Sequence, residues 1–253
     1  MLSGFLLALI VDAAFYSYVF GKGWTLLNGF PIGWLSAGMA YMNTFFHEIG
    51  HTLFAWLYGF ATIPIFDFKH GGGYAVSFSD QNYMIVAMMA GLLGYGIYYL
   101  KGYLHLQIIL GLCLTLGLTT FLFDDVYSSV IDFMGAGFVP LVSAFFLIRA
   151  LFDLAPRGVL ERFLNAFFGF GMIFGTLTEG YALLKSAAYR LVYFNQKGSH
   201  GFGDFDKIAS RWSGVEFEHV VYAIMTISFL SLIVPFILYA MHASRNEEYY
   251  DTL

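Results

Sequence analysis

Long apolar runs, rarely broken by a charge, decide what this chain can fold into. Between its charged residues lie about seven of them, at 3–20, 31–60, 84–100, 104–123, 127–150, 163–184 and 219–242. Each approaches the ~20 mostly apolar residues that a helix needs to cross a bilayer. Backbone in contact with lipid must satisfy its own N–H and C=O groups, so such runs fold as helices. The alternating pattern of a membrane β-barrel is absent. Composition agrees, with 59% hydrophobic and 11% charged residues, whereas a soluble domain carries roughly 25% charged. Disorder and a basic nucleic-acid-binding module are excluded, and a net charge of −5 predicts no polyanion partner. Cys113 is the single cysteine and cannot form an internal disulfide. The first run starts at about Leu2 with no basic residue ahead of it and contains Asp12, which suits a retained helix better than a signal peptide. The expected fold is an all-α polytopic membrane protein, a single integral domain over 1–253 with six to seven transmembrane helices.

Two connections are long. At 61–83, alternating apolar residues around Gly71, Gly72 and Gly73 suggest a β-hairpin or a re-entrant element. The segment 185–218 mixes Lys and Arg with Tyr189, Tyr193, Phe194, Phe202, Phe205 and Trp212. That mixture fits an interfacial segment against headgroups, with a solvated loop as the alternative. A final helix and polar tail occupy 219–253. Orientation does not emerge, because seven spans divide the twelve Lys and Arg residues six and six.

The most informative residues are His47-Glu48-Ile49-Gly50-His51, flanked by apolar sequence on both sides. Histidines at i and i+4 share one helix face and can reach one ion. Neutral imidazole suits Zn²⁺, and catalytic zinc sites keep one position for water. Glu48, next to the first histidine, is placed to act on that water as general base. An idle acid at mid-membrane costs ~2.5–3.5 kcal/mol on insertion scales, which argues for a use. The competing readings are a hydrogen-bonded cluster inside the bundle and a histidine pair on haem; haem leaves Glu48 unexplained.

HEIGH in an apolar helix resembles the intramembrane zinc metalloproteases of the site-2 protease type. The continuation HEIGHTLFAWLYG, the glycine-rich HGGGYAV and the small-residue stretch MMAGLLGYGIYYL resemble the M50B-like branch of the M50 family. The resemblance covers about 34–125 and implies a protease-like core within 31–150, with the β-hairpin after the motif helix. It also implies His47 and His51 as zinc ligands, Glu48 as catalytic base, and a membrane protein or peptide as substrate. Many members supply a third ligand from an asparagine- and proline-rich stretch ending in Asp-Gly. This chain has none; FDLAPRGVLERF at 152–163 is a weak echo. Asp124, Asp125, Asp132, Asp153 and Glu179 are candidates. Asp125 is preferred, because FLFDDVYSSVIDF at 121–133 looks like the acidic region that follows the glycine strand in the M50B-like branch. Glu179, deep in an apolar run, is its main competitor.

Asn43, Thr44 and His70 are candidates to line the cavity, and Gly71 to Gly73 to pair with an extended substrate. The expected function is zinc-dependent intramembrane proteolysis by a multi-pass protein of the bacterial inner (cytoplasmic) membrane. The alternatives are a non-catalytic protease-like subunit, scaffold or regulator of a larger membrane complex, and a transporter or metal-redox protein that uses the same histidines.

Overall fold

The apolar runs fold as helices, since nothing else satisfies their backbone in lipid. The computed structural model describes residues 1–20, 29–67, 72–196 and 203–251. In chain order these form α1 (Leu2–Val19), α2 (Ile32–Leu57), β1 (Thr62–Asp67), β2 (Gly72–Ser77), α3 (Tyr83–Tyr99) and α4 (Leu104–Thr120). There follow α5 (Asp124–Leu151), α6 (Val159–Lys185), α7 (Ala187–Gln196), α8 (Asp204–Arg211) and α9 (Phe217–Asp251). Every apolar run singled out in the sequence lies on one of these helices.

Four of them are long and apolar enough to cross a membrane, namely α1, α5, α6 and the part of α9 from Phe217 to Ser244. Length and composition therefore do not reach the expected six to seven. At 17 residues each, α3 and α4 are short. Although α2 has 26 residues, Asn43, His47, Glu48 and His51 dilute its apolarity.

α5 and α6 pack along each other at the centre. α1 lies on α6, α2 on α5, and α9 on both. One core joins α1, α2, α5 and α6 through Ala8, Val11, Met39, Leu147, Phe170 and Ile173. A second joins α5 and α6 to the three C-terminal helices through Ala136, Leu183, Tyr193, Phe205, Ile208 and Val221. At the α5–α6 turn Arg149 pairs with Glu161, and Arg162 Nε donates to the Ala150 carbonyl at 2.8 Å. Within the apolar layer, Thr178 Oγ1 donates to Asp12 Oδ2 at 3.0 Å and ties α6 to α1.

β1 and β2 form an antiparallel pair in register from Thr62↔Ser77 to Asp67↔Gly72. This is the hairpin expected after the motif helix, although His70 and Gly71 lie outside the described residues. Trp56 Nε1 donates to the Thr62 carbonyl at 2.6 Å, and Thr62 Oγ1 meets Ser77 Oγ at 2.8 Å. The hairpin is thus pinned to the end of α2, from which the chain enters it.

Lipid tails are as apolar as leucine, so the bundle is held by close packing rather than by expulsion of water. Leu147 is fully buried between α5 and α6, whereas Leu154 is 55% exposed. Leu147→Ala is expected to lower stability in detergent toward the low end of the ~2–5 kcal/mol typical of such cavities. Leu154→Ala is expected to leave it near wild type; thermal unfolding of the two variants checks the contrast.

Candidate metal centre

The motif histidines lie in the C-terminal half of α2, on the face turned to α5. His51 is held from behind, its Nδ1 2.8 Å from the Ile131 carbonyl on α5. A carbonyl only accepts, so Nδ1 carries the proton and Nε2 keeps a lone pair turned into the site. Backbone closeness makes this contact possible. A Cβ built at Gly135 would fall on the His51 ring atoms Nε2, Cε1 and Cδ2. A glycine at that point of α5 leaves the space that the imidazole fills.

The acidic partner of the histidines comes from far along the chain. Asp204, in the first turn of α8, places Oδ2 3.0 Å from His47 Nε2 and 3.2 Å from His51 Nε2. The two Nε2 atoms are 3.0 Å apart. His47, His51 and Asp204 each offer a ligand atom, all within 4.8 Å of one another. A single proton can satisfy one of these close contacts, whereas a divalent cation satisfies all three at once. Two imidazole nitrogens and one carboxylate oxygen also match a catalytic zinc site with a position left for water. The donors present fit zinc.

Glu48 is 4% exposed and lies under the hairpin. A Cβ at Gly73 of β2 would stand 2.6 Å from Glu48 Cγ and 3.1 Å from its Oε1. The missing side chain therefore lets the strand backbone rest on the acid. Thr52 Oγ1 donates to the Glu48 carbonyl at 2.8 Å one turn further on. His47, Glu48, His51 and Asp204 open into a cavity of about 1210 Å³, walled on one side by Gly73, Tyr74 and Ala75. Asn43 and Thr44 line it, as the sequence reading expected. Tyr193 lines it too, and burial, followed by the Asp204 carboxylate, pushes its phenol well above the usual range.

The preferred third partner does not reach the histidines. Asp125 is exposed in the first turn of α5 beside Asp124, where the helix N-terminus favours acids in water. Asp153 is turned outward and pairs with Arg162 at 3.6 Å. Asp132 is buried and binds Arg211. Glu179 borders the same cavity but is not one of the converging group. Asp204 is not among the sequence candidates, because it lies outside the apolar runs in a segment whose composition reads as an interfacial loop. A local signal existed: DFDKIASR puts acids in the first turn, Arg211 in the last, and Phe205 and Ile208 three apart, the mark of a short amphipathic helix.

A family model described as Peptidase M50B-like matches residues 24–239. The chain belongs to the Peptidase M50B-like family. The matched span takes in the hairpin and both sides of the cluster, from His47 to Asp204. No curated protein and no solved structure matches the chain. Membership in the M50B-like family and four apolar spanning-length helices make this a protease-like membrane protein.

Gly135→Ala is expected to displace the His51 ring and lower zinc retention of the purified protein by at least about tenfold. Gly111→Ala, on open space within α4, is expected to retain wild-type zinc. Metal content per folded protein after dialysis against a weak chelator distinguishes them.

Proposed function

We propose that this chain is a zinc-dependent intramembrane endopeptidase, with His47, His51 and Asp204 as metal ligands and Glu48 as general base. The convergence of the histidine Nε2 atoms on Asp204 Oδ2, beside a buried glutamate and at the wall of a large cavity, carries this reading. When bound, zinc would polarise the scissile carbonyl and lower the pKa of water to about 7.

The chain's own residues supply the rest. Glu48 removes a proton from the attacking water as its oxygen bonds to the scissile carbonyl carbon. It then delivers that proton to the amide nitrogen as the C–N bond breaks, which restores the carboxylate and releases an amine and an acid. A helical substrate must unwind before attack, because its carbonyl is hydrogen-bonded within the helix. β2 pairs with β1 on one side only among the described residues. An extended substrate segment that adds to its other edge would pass Gly73, directly over Glu48. The substrate class is accordingly a membrane protein or peptide cleaved in or beside its transmembrane segment. α2 would then lie in the bilayer with the four apolar helices, its polar face turned to the cavity; we place the protein in the bacterial inner membrane.

Glu48→Gln is expected to retain zinc but cleave a transmembrane substrate at least ~10²-fold more slowly, the lower range for a lost general base. Asp204→Asn is expected to lose zinc, and Asp125→Asn to keep both zinc and activity. Metal analysis paired with a cleavage assay in detergent or liposomes checks all three. Wild-type cleavage by a zinc-loaded Glu48→Gln protein would sink the mechanism.

A further inference from the structure

The charges of α8 form a chain that leads away from the histidines. Asp204 turns Oδ2 toward His47 and His51, while its Oδ1 lies 3.4 Å from Lys207 Nζ. Lys207 Nζ is also 3.8 Å from Asp132 Oδ1 on α5. Arg211, at the end of α8, binds the other oxygen, Asp132 Oδ2. Lys207 and Arg211 are four residues apart and share one helix face, so a single aspartate on α5 holds both. Beside them Trp212 Nε1 donates to Ser129 Oγ at 2.8 Å, one turn earlier on α5.

α8 needs such holding. With eight residues it is far below the ~12–15 at which an isolated helix becomes even marginally stable, so contacts with its neighbours set its position. Phe205 and Ile208 sink into the core formed with Tyr193 and Phe217, which fixes its depth. Apolar contact is non-directional and leaves the helix free to turn or slide. Charge-assisted bonds from Lys207 and Arg211 to one carboxylate supply the missing direction. Asp132 is 9% exposed; a carboxylate so buried is retained where cations meet it.

The neighbour of Asp132 makes the arrangement specific. Ile131 is the residue whose carbonyl fixes the His51 ring. Positions 131 and 132 of α5 therefore hold one side of the cluster through the backbone and the other through α8. We infer that Asp132 is a positioning residue for the metal centre: through Lys207 and Arg211 it sets the pose of α8 in which Asp204 reaches His47 and His51. This rests on the reading of the cluster as a metal site.

The test uses the full-length purified protein, with zinc affinity measured by chelator competition and the visible spectrum of the Co²⁺-loaded form recorded alongside. Wild type, Asp204→Asn, Asp132→Asn, Arg211→Ala and Arg211→Lys are compared at equal helix content. Asp132→Asn is expected to bind zinc about 10–100-fold more weakly, the usual cost of losing an outer-shell partner. Its cobalt spectrum is expected to depart from that of wild type. Arg211→Lys, which keeps the charge, is expected to stay closer to wild type than Arg211→Ala. Wild-type affinity together with a wild-type spectrum in Asp132→Asn overturns the inference and leaves the metal reading standing. Absence of zinc binding by wild type, or undiminished binding by Asp204→Asn, overturns the metal reading and the inference with it. Should Asp132→Asn fail to fold, Arg211→Ala decides by the same outcomes, its side chain being 25% exposed.

Discussion

The hydrogen bond from His51 Nδ1 to the Ile131 carbonyl is the contact around which the site is organised. It fixes the tautomer of one histidine, sets how α2 lies against α5, and requires Gly135 where the ring meets the neighbouring helix. A polar face on a helix flanked by apolar sequence is costly unless each group finds a partner within the protein. The bundle answers that cost by bringing three elements to one place: α5 behind the histidines, β2 over Glu48, and α8 across the open side. Each is held by contacts outside the cluster, which allows the site to exist as a defined geometry.

Separation of tasks follows from this arrangement. The core between α1, α5 and α6 is packed mainly from apolar side chains, with the Thr178–Asp12 hydrogen bond between α6 and α1. Around His47 and His51, by contrast, close packing gives way to a cavity of about 1210 Å³. The hairpin stands where the chain leaves α2, pinned through Trp56 and Thr62. Glu48 and the strand that rests on it are thus set by neighbouring stretches of sequence, and little freedom separates them.

That locality explains what could be read from the sequence. His47, Glu48 and His51 announce themselves because helix periodicity alone places them together. The hairpin shows through alternation around Gly72 and Gly73 for the same reason. Asp204 is different: 153 residues separate it from His51, and no local period encodes a contact over that distance. The sequence favours Asp125 because it follows the glycine strand, yet Asp125 lies exposed in the first turn of a helix. Asp132, a ligand candidate by sequence, pairs with Arg211 and Lys207 instead. The expected six to seven spans are not reached on length and composition, because α3 and α4 form helices of only 17 residues and because the polar residues of α2 make it less apolar than its length suggests.

The central claim is that one metal ion joins the motif helix to α8. Anomalous diffraction at the zinc edge, from crystals of the zinc-loaded protein, tests it most directly. The account predicts a single strong peak about 2.0–2.2 Å from Nε2 of His47, Nε2 of His51 and a carboxylate oxygen of Asp204. A peak whose acidic ligand is Asp125 or Glu179, or one away from the histidines altogether, would contradict it.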